Sequence, residues 1–213
     1  MEYFVPSGFG EAEFIEKRSR FIGRVWRTDT EEEALARIAE MREKHWDATH
    51  NVYAYIIKDG GAMRYSDDGE PQGTSGMPVL GVFRSAGVFN VCCVVTRYFG
   101  GVLLGAGGLV RAYSHTAALA LESAGISVMR RWKELKMNCP YSYFERVKLE
   151  IAAYDGAIEN IDYGSEVVIE ALLPASKAGD FNARLIDMTA GTLAAEITGE
   201  CYRAVDLKGR NDE

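Results

Sequence analysis

Five glycines fall within nine positions (Gly100, Gly101, Gly105, Gly107 and Gly108), with Arg97 and Arg111 on either side of them. Glycine loses much backbone entropy on folding, so this density marks a loop shaped for close approach. The residues before it, Asn90 to Thr96, read as a buried apolar strand. Those after it read as a helix from about Gly108 to Ala124, closed by Gly125. A helix that opens from a glycine loop presents free N–H groups and a positive dipole end, which attract anions. Arg97 and Arg111 can add bidentate contacts. The same glycines can instead serve tight packing of loop and helix against a sheet. The spacing is not that of a Walker A loop, which closes in Gly-Lys-Ser/Thr, nor that of a dinucleotide fingerprint.

A second polar group lies in the turn from Ser66 to Gly73. Its acids, Asp67, Asp68 and Glu70, can hold a hard cation such as Mg2+. They can equally pair with Arg97 or Arg111, or accept N–H bonds inside the turn. Thr74 or Ser75 is placed to cap the next helix, with Pro78 in its first turn. His45, His50 and His115 have no partner at a metal-site spacing and read as surface or satisfied side chains. Cys92 and Cys93 are adjacent in a strand and point to opposite faces as buried thiols. No Gly-x-Ser-x-Gly elbow and no catalytic dyad is present. Tyr98 and Phe99, with Tyr53, Tyr55 and Tyr113, can form a base-stacking platform, although aromatics at strand ends more often belong to the core or its rim.

Elements must position these groups. Glu13–Arg27 reads as a strand or hairpin arm. Thr30-Glu31-Glu32-Glu33 is a capping box that opens a helix to about Trp46. Val52–Ile57 is a strand, and Asp59-Gly60-Gly61 turns into a short strand at 63–65. A helix runs to Ser85. A domain boundary is placed in 128–132, giving domains 1–129 and 130–213. The second part reads strand 132–139, helix 143–153, strands 157–163 and 166–173 joined at Tyr163-Gly164-Ser165, helix 176–189 and strand 192–202. This βαββαβ order is the ferredoxin-like pattern. The net charge of −7 argues against a nucleic-acid binder that relies on a large Lys/Arg excess. No apolar run is long enough to span a membrane, and the amino terminus lacks the pattern of a signal peptide, so a cytoplasmic protein is expected. Oligomeric state is left open.

The runs Tyr65-Ser-Asp-Asp-Gly-Glu-Pro-Gln-Gly-Thr-Ser-Gly76 and Val94 to Tyr113 resemble the Impact family. Lys17-Arg18-Ser19-Arg20-Phe21 and His50, Tyr53 and Ala54 fit its earlier segments. Met77 stands where members often carry Lys between the glycine and the proline. The resemblance implies an α+β protein of two domains. The first would be like the ribosomal-protein-S5 domain 2 fold, and the second a small ferredoxin-like domain similar to late domains of elongation factor G. Eukaryotic members resemble regulators of translation that bind the activator of an initiation-factor kinase, and are not known as enzymes. The expectation is a non-enzymatic binding protein, without metal or cofactor, linked to translation or stress response. Its partner would be RNA, the ribosome or a translation-related protein. The contact surface would be Arg97, Tyr98, Gly100, Gly101, Gly105, Gly107, Gly108 and Arg111 with the polar turn Asp67, Asp68, Glu70, Thr74 and Ser75. Replacing Arg97 and Arg111 by alanine would then weaken binding without unfolding the chain. The alternative is an enzyme acting on a phosphorylated small molecule, with Asp67 or Asp68 holding Mg2+.

Overall fold

The strands that carry the glycine loop and the acidic turn belong to one antiparallel sheet. A computed structural model describes residues 2–206, and the chain divides into one compact unit over 3–128 and another over 129–203. The first contains β1 (Tyr3–Pro6), β2 (Gly10–Glu16), β3 (Ser19–Arg27), α1 (Glu31–Lys44), β4 (His50–Ile56), β5 (Met63–Ser66), α2 (Gly76–Ser85), β6 (Val91–Tyr98) and α3 (Ala106–Ala124). Its sheet runs in the order β2-β3-β6-β4-β5. β6 lies at the centre, and Val91 to Val95 are all buried.

Alternation along β6 builds two cores. Cys93 and Val95 face α2 and α3 together with Phe21, Val25, Phe83 and Ala117. Cys92 and Val94 face α1, where Ala34, Ile38 and Met41 pack. The adjacent cysteines thus lie on opposite faces, as period-two geometry requires. Burial pushes the Cys92 thiol up to about 12. α3 buries a stripe of small side chains, Ala112, Ala117, Ala120 and Ala124. Such a stripe lets the helix lie close to the sheet, with its first turn at the carboxyl end of β6.

The second unit contains most of β7 (Ile126–Cys139), then α4 (Tyr141–Ala153), β8 (Ala157–Tyr163), β9 (Val167–Pro174), α5 (Ala178–Met188) and β10 (Glu196–Asp206). In its sheet β9 lies between β7 and β8, and β10 pairs with β7. The order β10-β7-β9-β8 is that of a ferredoxin-like fold. Leu135, Met137, Ile169 and Leu173 pack with Val147, Ile151, Phe181 and Leu185 of the two helices. The opposite face sets Lys136 across from Glu170.

Three local expectations are corrected. The single arm at 13–27 is a hairpin, because Lys17 and Arg18 take positive φ (45° and 66°) and reverse the chain between Glu16 and Ser19. β7 begins at Ile126, not at Trp132, so one strand runs through the segment 128–132 where the sequence places the domain boundary. The last strand begins at Glu196, not at Thr192. The cause is Leu193, which is buried while its N–H donates to Thr189 Oγ1 at 3.1 Å, so the chain loops before it extends.

Candidate functional site

Beneath the glycine loop lies a buried polar network. Arg97, next to last in β6, donates from Nη1 to Glu70 Oε1 at 2.6 Å and from Nη2 to Ser19 Oγ at 3.2 Å. Tyr113 of α3 donates its hydroxyl to the same Glu70 oxygen at 2.7 Å. The side chains of Arg97 and Glu70 are only 6% and 3% exposed. Burial and the Glu70 carboxylate push the Tyr113 hydroxyl far above its usual range, so it stays a donor. Arg97 is therefore committed to Glu70 and Ser19 and is not free for an outside anion. Of the roles open to Glu70, pairing with Arg97 is the one adopted.

The acidic turn is held in the same way. Asp67 accepts N–H bonds from Gly73 at 2.8 Å, Ser75 at 3.2 Å and Gly76 at 2.8 Å, and the Ser75 hydroxyl at 2.8 Å. Burial alone pushes its carboxyl up, but these bonds outweigh burial and hold it below the usual carboxylate range. This corrects the expected cap of α2. Ser75 Oγ donates to Asp67, and Thr74 Oγ1 donates to Pro71 O at 2.6 Å, so the carboxylate of Asp67 does the capping. Asp68 accepts the Asn51 N–H at 2.7 Å and pairs with Arg42 at 3.0 Å. The Asp67 and Asp68 oxygens that would hold a cation are engaged within the protein. Among the described residues no group of three His, Cys, Asp or Glu is placed to hold a metal ion.

The loop itself combines close approach with open backbone. Ser19 Oγ accepts the Gly100 N–H at 3.2 Å, and a Cβ on Gly100 would overlap the backbone of Arg18 and Ser19. Only glycine there lets the Lys17–Arg18 hairpin tip lie against the loop. Gly105, at φ 72°, precedes α3 and offers no capping side chain. The N–H groups of Ala106, Gly107 and Gly108 have no acceptor among the described residues, since the first bond of the helix is made by Leu109. Arg111 Nη1 reaches back to 3.5 Å from where a Gly107 Cβ would lie. Lys17, Arg18 and Arg111 are exposed and form no ion pair among the described residues. The structure thus gathers Arg111 and the glycines at one surface and places Arg97 underneath it.

The aromatics lie in the core and at its rim, and the alternative of a stacking platform is not assembled. Tyr55 and Tyr113 are buried, and Tyr53 stacks on Tyr55 at 6.3 Å against the α1 face. Phe99 is left at the surface, and its N–H donates to Thr49 Oγ1 at 3.0 Å. Tyr98 donates to Asp47 Oδ1 at 3.2 Å and meets His45 Nδ1 at 2.9 Å. These bonds tie the 45–49 segment to the start of the loop. Two of the most exposed apolar side chains lie here, Trp46 at 81% and Leu103 at 82%. Neither had a sequence signal beyond its type. Lys17 and Arg18 had one, a two-residue break between alternating strands. His115 lies edge-on to Phe14 at 4.8 Å, and His50 meets the Asp68 carbonyl at 2.8 Å from Nδ1. His50, Glu70, Arg97, Phe99 and Ala106 line a cleft of about 380 Å³ between the acidic turn and the α3 amino end. A wider trough of about 660 Å³ lies over α3 between Phe14 and Val82.

The motif residues of this site lie inside residues 17–121, which match the model of the Impact N-terminal domain, and residues 137–192 match a domain of unknown function, DUF1949. IMPACT family member YvyE of Bacillus subtilis (strain 168) is 34% identical over 190 residues, 89% of this chain and 88% of the relative. This chain belongs to the IMPACT family. IMPACT family member YigZ of Escherichia coli (strain K12) is 37% identical over 180 residues, 83% of this chain and 88% of the relative. A solved structure titled as that of a hypothetical protein superposes with a TM-score of 0.59 at 34% identity, covering 93% of this chain and 98% of that one. The architecture of an Impact domain followed by DUF1949 agrees with the α+β fold of two units described above.

Proposed function

We propose that this IMPACT-family protein is a non-enzymatic cytoplasmic factor in translation or stress response. On this reading it contacts RNA phosphates, on the ribosome or on structured RNA, through the glycine-loop end of its first unit. One observation carries the reading. The first turn of α3 offers three N–H groups without acceptors, with Arg111 beside it and the exposed Lys17–Arg18 hairpin tip lying against Gly100 of the same loop. Helix amino ends bind phosphate through such groups. A guanidinium beside the positive end of a helix is itself unfavourable, and an anion held between Arg111 and the helix relieves that repulsion. Phe99 and Trp46 add exposed faces on which unpaired bases can stack. The net charge of −7 limits the contact to few phosphates, so the salt dependence is shallow beside that of proteins making 6–10 phosphate contacts.

A second reading, a translation-related protein partner, is favoured by the exposure of Trp46 and Leu103, since large apolar anchors dominate protein interfaces. An enzyme using Mg2+ on a phosphorylated substrate has less support, because both carboxylate oxygens of Asp67 and of Asp68 are occupied within the turn and its neighbours. The deciding experiment is binding of the full chain to purified ribosomes and structured RNA over a salt series. Binding that weakens with salt, and weakens further in Arg111→Glu, is expected. No binding at low salt would overturn the RNA reading and leave the protein partner.

A further inference from the structure

The cleft beside the α3 amino end has acceptors on one wall and donors on the other. On the first wall, the Asp68 carbonyl can only accept, so the proton of neutral His50 sits on Nδ1, 2.8 Å away. That leaves a lone pair on Nε2. Nε2 makes no hydrogen bond among the described residues, and Glu70 Oε1 is 3.8 Å from it. Glu70 Oε1 already accepts from Arg97 and Tyr113. Its other oxygen, Oε2, accepts from no described residue, although the side chain is only 3% exposed. The oxygen is not itself sealed from solvent, so it can accept from a ligand in the cleft that Glu70 lines. On the second wall are Gly105 and Ala106, where the helix N–H groups lack acceptors. Phe99 and Leu103 form an apolar side between them.

A ligand complementary to this cleft joins an anionic acceptor to two neighbouring hydrogen-bond donors and carries an apolar face. Inorganic phosphate lacks the donors. An internal RNA nucleotide has only its 2′-hydroxyl, because O3′ is esterified. A ribose with both hydroxyls free and a phosphate on O5′ meets every requirement, with its base for the apolar wall. The volume of about 380 Å³ lies at the low end for small-molecule sites.

We propose that the cleft takes a terminal ribonucleotide: the 2′,3′-diol donates to His50 Nε2 and Glu70 Oε2, and the 5′-side phosphate sits on the first turn of α3. This rests on the RNA-phosphate reading above and adds which part of the RNA enters. Two sources share the chemistry, the 3′ end of an RNA and a free ribonucleoside 5′-monophosphate.

The test uses the full chain and a short fluorescein-labelled single-stranded RNA, followed by anisotropy at low salt. The 3′ end is a free diol, a 3′-phosphate or a 2′,3′-dideoxy terminus. Loss of both hydrogen bonds predicts roughly tenfold or weaker binding for the dideoxy end. The 3′-phosphate end keeps its 2′-hydroxyl but loses the 3′-hydroxyl bond and brings a second anion beside Glu70, so it too should bind more weakly than the diol. Because this comparison varies only the ligand, it does not depend on any variant folding. His50→Gln, checked for folding by circular dichroism, should lose the preference for the diol. A mixture of ribonucleoside 5′-monophosphates that displaces the diol RNA assigns the site to free nucleotides as well. Diol RNA that binds without such displacement assigns it to RNA ends. Binding that ignores the 3′ terminus overturns the proposal while leaving the RNA-phosphate reading intact. Binding of deoxynucleotides equal to that of ribonucleotides also overturns it. If neither RNA nor nucleotide binds, both readings fall together.

Discussion

Replacing the hairpin tip separates binding from folding, because there the two pull in opposite directions. Lys17 and Arg18 sit at φ 45° and 66°, a conformation that long L side chains adopt at a cost. Left-handed backbone costs such residues roughly 1–2 kcal/mol each. Asn-Gly is the pair best suited to a two-residue hairpin turn with positive φ at both positions. Lys17→Asn with Arg18→Gly relieves most of that strain, offset by roughly 0.5–1 kcal/mol of extra glycine entropy in the unfolded chain. The expected net gain is about 1 kcal/mol of stability, read as a rise in denaturation midpoint at unchanged m-value. The same variant removes two unpaired cations from beside the glycine loop. Removing a cation from one phosphate lowers the magnitude of the slope of log K against log salt by about 0.7–0.9, so a fall of about 1.5 is expected for the pair. The assay combines urea denaturation with RNA anisotropy over a salt series. A more stable variant with an unchanged salt slope would show that these cations touch no phosphate. A less stable variant would show that the turn stores no relievable strain.

The remaining expectations follow from the buried network and from burial elsewhere. Arg97→Ala leaves Glu70 buried without its cation and should destabilise by about 3–5 kcal/mol. Arg111→Ala, on the surface, should stay within about 0.5 kcal/mol, so only the latter is a clean binding probe. Asp67, whose folded carboxyl is held low, contributes stability that is complete above its unfolded value near the ordinary 3.8 and is lost as pH falls through its folded value. Asp67→Asn should therefore flatten the acid limb of a stability-against-pH curve, and an unchanged limb would count against the capping role. Of the four cysteines only Cys201 is not buried. A thiol reagent at neutral pH should label that one in the native protein and all four after denaturation, and native labelling at Cys92 or Cys93 would contradict the central placement of β6.

Much of the fold was legible because its signals are local. The unbroken apolar run Val91–Val95 marked a strand buried on both faces, and the βαββαβ order of the second unit followed from periodicity and the turn at Gly164. What escaped was decided by partners far away in sequence. Asp67 outcompetes Thr74 and Ser75 as the cap of α2 because a carboxylate accepts several donors at once, and nothing in the order of residues says which side chain folds back. The hairpin tip was missed because Lys-Arg is a poor turn pair by propensity and is tolerated here against the backbone of Gly100. The role of Arg97 was open for the same reason: its partner Glu70 is 27 positions earlier.

Burial changes what the two arginines mean for function. Both flank the glycines in sequence, and both suit an anion site by type. Arg97 is neutralised by Glu70, so its charge adds almost nothing to the field outside. It also supplies the two bonds that hold the acidic turn and the Ser19 corner, and hence the hairpin tip, around the loop. Arg111, Lys17 and Arg18 keep their charge in water and set the outward field. An acidic protein can present a phosphate-binding end in this way, with the interior of the site electrically balanced and its cations confined to the rim. The salt slope therefore reports the rim cations, while the preference for a free 3′ end reports the inner acceptors, and the two respond to different substitutions.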